Sequence, residues 1–347
     1  ASSGAVDTYT IDQSLMFATA DSANLTISPS GAGNRRTWTL SAWCKKTKNG
    51  SFWPVIMGYG GTSGYPTAWV GFSEDKLQVA DTDASGNYLL NYISNALYTD
   101  VAAWYHIVVV CDTTQGTASN RVKAYVNGSE ITSWGTETNP SQNHDTQFSG
   151  TDEPMIGKIA GMSYFEGYLA EIHYIDGTAK AVGDFGKTDS TTGQWIPKEY
   201  TGGSYGTNGF YLKFVSGALG TDSSGEGNNW TANNLANSDV RIDTPTNNFC
   251  TLKETWKGTY AEVKNGGLTC YANTAADIGY TFSSIPMEDG SGKWYAECRI
   301  DAYHESGSLV YPFPGVADIT NRFQTYNPLI SLYAHNYNQI STENTQV

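Results

Sequence analysis

The chain has 347 residues, a formal net charge of −14, 16% charged residues and 13% aromatic residues. The negative charge argues against nucleic acid or an anionic membrane surface as a partner, because both are polyanionic. The aromatic content argues against a disordered chain, and the length suits about two domains of ~150 residues.

Short strand patterns dominate the first part of the sequence. Residues 37–44 (TWTLSAWC) alternate, with Trp38 and Cys44 on the same face, which predicts a strand with one buried face. Residues 104–111 (WYHIVVVC) are apolar on both faces and predict a central strand that is covered on both sides.

Two further strands are marked by the turns that follow them. Residues 121–126 (RVKAYV) precede Asn127-Gly128, a pair that favours a type I′ hairpin turn, and residues 168–175 (YLAEIHYI) end at Asp176-Gly177. Weaker strand patterns occur at 14–18, 52–58, 68–72, 76–80, 155–159 and 210–214. Regularly spaced strands with polar turns and no long amphipathic helix predict an all-β, antiparallel jelly-roll sandwich.

Changes in composition predict four segments. Residues 1–11 form an N-terminal arm, 12–215 the sandwich, 216–248 a linker rich in Gly and Asn, and 249–347 a smaller or incomplete β-rich segment. In the last segment, strand patterns occur at 259–263, 266–271 and 291–300. The chain starts without Met, which indicates processing or a fragment.

The cysteines are odd in number and widely spaced: Cys44, Cys111, Cys250, Cys270 and Cys298. Disulfide scaffolds are smaller and denser in cysteine, so we expect all of them to be unpaired. The sequence has neither a signal-peptide pattern nor an apolar run of about 18 residues, so membrane insertion is not expected. Free thiols are typical of a protein that folds in a reducing cytosol.

Several of these segments together resemble a known family. In order, NRRTWTLSAWCKKT at 34–47, WYHIVVVCD at 104–112, RVKAYVNG at 121–128 and GYLAEIHYIDG at 167–177 resemble the laminin-G-like domain of the concanavalin A-like superfamily. The resemblance covers about residues 12–215. It implies that these segments are jelly-roll strands and that the last one closes the core.

Other segments resemble proteins of tailed bacteriophages. Residues 186–214 and DTPTNNF at 243–249 are similar to fibre or appendage proteins, especially of marine phages. The segments NGGLTCY, SGKWYAE and SLVYPFPGVAD in 265–318 resemble a SPRY-like sandwich. This resemblance implies a partial SPRY-like segment at 249–347.

The superfamily also includes glucanases, which need two carboxylates about 5–5.5 Å apart. The nearest match to their Glu-x-Asp-x-Glu strand is EIHYID at 171–176, where Glu171 and His173 share a face and Asp176 does not. The second carboxylate is therefore missing. No histidine pair has metal-ligand spacing and no Gly-x-Ser-x-Gly motif accompanies a strand–helix turn, so we expect no enzyme.

Aromatic side chains in turns indicate carbohydrate binding, because sugars stack their apolar faces on aromatic rings. Tyr59, Tyr65, Tyr88, Tyr92 and Trp134 lie in or near predicted turns and are the candidates for a glycan-facing surface. Packing in the core is the ordinary alternative for each of them.

Calcium is the one candidate cofactor, and it follows only from the family resemblance. Asp81, Asp83, Asp145 and Asp152 lie in predicted loops and are the candidate ligands, with a solvated loop as the ordinary alternative. DSSGEGN at 222–228 also places oxygen atoms close together, but no bidentate glutamate follows it, which favours a polar turn.

Together these features predict a virion surface protein of a tailed bacteriophage, a tail fibre or appendage that attaches to host-surface glycan. The alternative is a capsid or tail decoration protein whose sandwich packs against neighbouring subunits without binding glycan. A non-viral secreted adhesin is a more distant reading. The expected partners are host glycan, other virion proteins and further copies of the chain, a trimer if it forms a fibre.

Overall fold

The computed structural model describes residues 9–50, 53–60, 64, 67–159, 163–258, 261–272, 281–285, 315–316 and 330–331. Within these residues the chain is all β, with short 3₁₀ turns at Thr19–Asp21, Ala118–Asn120, Val182–Asp184 and Asn237–Asp239. None of the helices there is long and apolar enough to cross a membrane.

The strands are short, as the turn spacing predicts. In chain order they are β1 (Ser14–Phe17), β2 (Asn24–Thr26), β3 (Thr37–Lys46), β4 (Val55–Gly60), β5 (Thr67–Ser73), β6 (Lys76–Thr82), β7 (Tyr88–Ser94), β8 (Tyr105–Asp112), β9 (Val122–Val126), β10 (Ser129–Glu130), β11 (Trp134–Thr138), β12 (Pro154–Ile156), β13 (Lys158–Ile159), β14 (Ser163–Tyr164), β15 (Gly167–Asp176), β16 (Gly186–Thr188), β17 (Trp195–Pro197), β18 (Phe210–Leu212), β19 (Thr231–Asn233), β20 (Val240–Arg241), β21 (Leu252–Lys257), β22 (Ala261–Lys264), β23 (Thr269–Ala272), β24 (Thr281–Ser283), β25 (Gly315–Val316) and β26 (Ile330–Ser331).

Two antiparallel sheets form the sandwich, which confirms the predicted fold class. The first sheet has the order β10-β9-β8-β3-β15-β1-β20, with β18 also paired to β15. The second sheet has the order β11-β7-β6-β5-β4-β12-β2-β19. Their facing surfaces enclose one apolar core, which holds the inward side chains of β3.

The strand β3 is buried on both faces, which corrects the prediction of one buried face. Trp38 and Cys44 point into the core as expected. On the opposite face Trp43 packs with Trp104 and with Ile11 of the N-terminal arm. This outer face is covered because Tyr9 and Ile11 pack over the first sheet, and an alternating pattern in β3 alone gives no indication of that cover.

The hairpin between β9 and β10 has the predicted turn. Asn127 and Gly128 have φ angles of 48° and 79°, the left-handed values that a type I′ turn requires. A side chain at Gly128 would also collide with the ring of Trp195, 2.4 Å from a Cβ atom. The glycine therefore serves both the turn and the packing of the segment that follows β15.

Residues 216–248 are not a linker, which corrects the predicted domain boundary. The strand β19 pairs with β2 in the second sheet, and β20 pairs with β1 in the first. Leu219 and Trp230 belong to the sandwich core. The segment has a linker-like composition because polar side chains in its turns bind its backbone N–H groups. For example, the Ser224 N–H donates to Asp222 Oδ1 at 2.8 Å.

The end of this segment is held by a buried ion pair. Lys45 Nζ lies 2.8 Å from Asp243 Oδ2 and 2.6 Å from the carbonyl oxygen of Phe249. Asp243 Oδ1 accepts a hydrogen bond from Trp104 Nε1 at 2.9 Å. Burial lowers the pKa of Lys45, and Asp243 opposes that effect. These contacts fix residues 243–249 against the first sheet.

Only part of the predicted β-rich segment 249–347 is described. The pairs β21–β24, β22–β23 and β25–β26 are antiparallel, and Tyr168 Oη donates to the Gly266 carbonyl oxygen at 2.6 Å. The predicted strand at 291–300 lies outside the described residues. Of the cysteines, Cys44, Cys111 and Cys250 are unpaired as expected, while Cys298 is not described.

His106 is a neutral, buried structural residue of β8. Its Nδ1 accepts from Trp195 Nε1 at 2.9 Å, so Nε2 carries the proton that it donates to Ser41 Oγ at 2.8 Å. Its ring stacks on Trp43 at 4.5 Å. Burial lowers the pKa of His106 to about 3.

We expect His106 to make the fold acid-sensitive. Its folded pKa lies below the unfolded value of about 6.5, so its contribution to stability is complete above that pH. The contribution is lost as the pH falls from 6.5 towards 3. Urea unfolding of the wild type and of His106→Gln across this range checks the prediction: the variant should lose less stability on acidification, and parallel losses would contradict it.

We expect Asp243→Ala to destabilise the sandwich by about 3–5 kcal/mol, because it leaves the charge of Lys45 buried without a negative counter-charge. The measurement is the free energy of unfolding in urea. Lys123→Met is the matched control, since Lys123 and Glu130 form a half-exposed pair at 2.9 Å and such pairs contribute under about 1 kcal/mol. Equal effects of the two variants would show that the buried pair has no special role.

Candidate functional site

A wide cleft opens at one end of the sandwich, where loops from different parts of the sequence meet. It has a volume of about 560 Å³. Its lining residues come from the approach to β3, the loop after β11, the end of β15 and the loop before β18: Ala32, Gly33, Asn34, Arg35, Arg36, Asp145, Asp176, Gly177, Gly206 and Thr207. We call it the loop-end cleft.

Asp176 fixes the floor of the loop-end cleft. Its Oδ1 accepts from the Asn34 amide at 2.8 Å and from Ser149 Oγ at 2.9 Å. Its Oδ2 accepts from the Asn208 amide at 3.0 Å. One buried carboxylate at the end of β15 therefore joins three loops.

Two glycines allow these loops to approach Asp176 closely. A Cβ atom at Gly33 would lie 2.0 Å from Asp176 Oδ2, and one at Gly206 would lie 2.2 Å from the Asp176 carbonyl oxygen. Gly206 also has a φ of 82°, which other residues rarely adopt. Side chains at these positions would push the loops apart and change the shape of the cleft.

The rim carries exposed charged groups in a fixed geometry. Arg36 forms an ion pair with Asp145, in which Arg36 Nε donates to Asp145 Oδ1 at 2.7 Å. Both side chains are about half exposed. Arg36 keeps the pKa of Asp145 below its ordinary value, mainly through this hydrogen bond. Arg35 Nε donates to the Thr146 carbonyl oxygen at 2.6 Å. The rim thus offers guanidinium donors and carboxylate acceptors to solvent.

The predicted aromatic surface is wrong for two of its residues. Tyr59 and Tyr92 are 1% and 2% exposed and belong to the core between the sheets. Both lie on strands, β4 and β7, where alternation turns them inward. Tyr92 Oη donates to Asn139 Oδ1 at 2.6 Å.

The remaining aromatic candidates have different positions. Tyr88 is 47% exposed at the start of β7, and its ring contacts Trp69 edge to face at 6.0 Å. Trp134 is half-buried and packs on Tyr92 at 5.0 Å. Tyr65 lies outside the described residues. No described aromatic candidate lines the loop-end cleft.

The candidate calcium ligands are used by protein donors. Asp81 is buried and accepts from His144 Nε2 at 2.7 Å, while Asp83 accepts the amides of Ser85 and Asn87 within its own turn. Asp145 pairs with Arg36.

Asp152 is half-buried in a bend. Among the residues that the structure describes, no three His, Cys, Asp or Glu side chains are grouped to hold a metal ion. Calcium at these aspartates therefore stays a prediction from the family resemblance.

Glu171 lies in a buried cluster on the outer face of the first sheet. The strand β15 has a β-bulge between Ala170 and His173, where Glu171 has a φ of 43°. Glu171 and His173 share the outer face as predicted, and Glu171 Oε2 lies 3.9 Å from His173 Nε2. Tyr9 and Tyr211 both donate to Glu171 Oε1. Burial alone would raise the pKa of Glu171, but His173 and the two hydroxyl groups hold it below its ordinary value.

The described groups in contact with Glu171 do not include a second carboxylate. The groups around Glu171 are hydroxyls and an imidazole, and no contact with a second carboxylate is found among the described residues. Asp176 points into the loop-end cleft network instead.

Apart from Asp145, which was a candidate calcium ligand, the residues of the loop-end cleft were not among the sequence candidates. Asn34, Arg35 and Arg36 directly precede β3, and Asp176-Gly177 directly follows β15. These two strands are antiparallel neighbours, with Asp176 opposite Trp38. The available signal was the polar residues just before one strand and just after its partner. That signal identifies the cleft only when the pairing of the two strands is known.

Comparisons with known proteins agree with the fold. Residues 19–182 match the Laminin_G_3 family, described as the concanavalin A-like lectin/glucanases superfamily. No curated protein sequence matches the chain significantly.

Several solved structures are similar at low identity. A native heptameric SAP-like pentraxin from Limulus polyphemus is 16% identical, with coverage of 49% of this chain and 78% of that one and a TM-score of 0.36. A putative carbohydrate binding protein from Bacteroides ovatus ATCC 8483 is 19% identical, with coverage of 67% and 60% and a TM-score of 0.42. Mouse laminin alpha1 domains LG4-5 are 12% identical, with coverage of 47% and 40% and a TM-score of 0.33.

The two-sheet topology and the family match lead to the same classification. The match begins within the first turn after β1 and ends just after β15, so it includes the strands that carry most of the core. The described strands therefore form a concanavalin A-like sandwich fold, and the family match covers residues 19–182 of it.

Proposed function

We propose that this chain is a virion surface protein of a tailed bacteriophage, a tail fibre or appendage, that attaches to host-surface carbohydrate through the loop-end cleft. The observation that carries the binding proposal is the cleft itself, a wide polar depression with a floor fixed by Asp176. The phage assignment rests on the sequence resemblance of residues 186–214 and 243–249 to fibre and appendage proteins.

The chemistry of the rim supports a hydroxyl-rich ligand. Guanidinium groups are strong hydrogen-bond donors, and the Asp145 carboxylate is a strong acceptor. Both are presented to solvent by backbone that internal hydrogen bonds hold in place, so little ordering is needed on binding. Weak individual sites suit a fibre, because several copies raise avidity, and we propose an oligomer, a trimer in the fibre case.

We expect Arg36→Ala to weaken carbohydrate binding about 10- to 100-fold, since a hydrogen bond from a charged donor contributes roughly 1.5–3 kcal/mol. The measurement is binding of labelled protein to a glycan array and to intact host cells. Each assay is run with and without a chelator, so that a contribution of calcium is seen directly.

Lys123→Ala is the matched control, because it removes a basic residue from a half-exposed ion pair away from the cleft. It should bind as the wild type does. Equal losses in both variants would point to a general charge effect. Absence of binding to every glycan and to cells would refute the proposal and favour the capsid or tail decoration role.

We further propose that the chain binds carbohydrate without cleaving it. Glu171 is enclosed by Tyr9, Tyr211 and His173 and lies among groups that cannot supply the second carboxylate of a glycosidase. Incubation of the bound polysaccharide with purified protein should release no reducing ends. Release that disappears in Glu171→Gln would contradict this proposal.

A further inference from the structure

A small pocket opens next to the loop-end cleft. Its apolar lining residues are Ile27, Pro29, Pro154 and Phe210, and Tyr59 and Trp230 line it as well. Asn208, which lines the pocket, directly follows the cleft residue Thr207, and its backbone N–H donates to the cleft residue Asp176 at 3.0 Å. The pocket and the cleft are therefore neighbours.

Trp230 brings an unused hydrogen-bond donor to the pocket. The residue is 6% exposed, and its Nε1 is buried without a hydrogen-bond partner among the described residues. Buried indole N–H groups normally find a partner. The ring packs edge to face on Phe210 at 4.7 Å, and the backbone amide of Trp230 donates to the Gly220 carbonyl oxygen at 2.7 Å.

Two asparagines provide acceptors at the same pocket. Asn228 Nδ2 donates to the Thr207 and Gly209 carbonyl oxygens at 3.0 and 2.7 Å. Asn208 Nδ2 donates to the Gly31 carbonyl oxygen at 3.0 Å. These bonds commit both amide nitrogens, whereas no described protein group donates to either side-chain carbonyl oxygen.

The size of the pocket limits its occupant to about one oxygen atom. Its volume is about 10 Å³, close to the minimum that holds a single water molecule. A hydroxyl group fits both the size and the chemistry, since it accepts one hydrogen bond and donates another. A carbonyl oxygen could only accept, and an ammonium group could only donate.

We infer that this pocket is a specificity subsite in which one hydroxyl group of a saccharide bound in the loop-end cleft accepts from Trp230 Nε1 and donates to the side-chain oxygen of Asn208 or Asn228. The inference rests on the proposed function, because it assigns to the same site the feature that distinguishes one sugar from its epimers. In the unbound protein a water molecule takes the place of the hydroxyl group.

The test compares Trp230→Phe with the wild type, because phenylalanine retains an aromatic ring and lacks the N–H donor. The probes are the methyl glycosides of glucose, galactose and mannose and their monodeoxy analogues, titrated by ¹⁵N-resolved NMR. The signal of the Trp230 indole is assigned by its loss in the variant. Trp53→Phe is the matched control, because Trp53 is 44% exposed before β4 and is not among the residues that line the cleft or the pocket.

For the glycoside that binds best, one deoxy analogue should bind the wild type about two- to tenfold more weakly, as expected for a neutral hydrogen bond. Trp230→Phe should weaken the parent glycoside by the same factor and leave that deoxy analogue unchanged. The wild-type indole signal should shift with the parent and not with this analogue. Trp53→Phe should bind all probes as the wild type does.

Every other outcome contradicts either the subsite proposal alone or the proposed function as well. If Trp230→Phe weakens the parent and every analogue equally, or changes none, the pocket is not a subsite while the cleft proposal stands. An indole signal that is the same with and without bound glycoside means that the pocket holds water only. If neither these glycosides nor any arrayed glycan binds the wild type, the proposed function fails and the subsite with it.

Discussion

Asp176 is the constraint on which the functional end of this sandwich depends. A strand end normally leaves backbone groups to solvent, but here the carboxylate turns back and accepts from Asn34, Ser149 and Asn208. A buried carboxylate is stable only when such donors satisfy it. The three loops are therefore held in place by their hydrogen bonds to Asp176. The cleft that they line is formed before a ligand binds.

The segment after β15 completes both the fold and the site. It supplies β18, β19 and β20, which extend the two sheets, and it places Trp230 in the core. It also supplies one wall of the loop-end cleft and most of the polar groups of the adjoining pocket. The family match ends at residue 182, before most of this segment.

The limits of the sequence prediction follow from how local each signal is. Long alternating runs such as that of β3 predict their strand and its inward face, because each residue position reports its own burial. β7 was missed, since the exposed Tyr88 and Leu89 interrupt the alternation. The cleft residues were missed for another reason: Asn34, Asp176 and Asn208 are far apart in the sequence and come together only through strand pairing.

The charge of the cleft differs from that of the whole chain. The protein carries a formal net charge of −14, which repels polyanions at long range. In the cleft Arg35 and Arg36 stand against Asp145 and Asp176, so the formal charges of its lining cancel. In the proposed function, direct hydrogen bonds therefore contribute more to recognition than net charge does. The proposed ligand is a neutral, hydroxyl-rich carbohydrate, because the negative charge of the protein would repel a sulfated or polyphosphorylated surface and the cleft has no net positive charge to offset that repulsion.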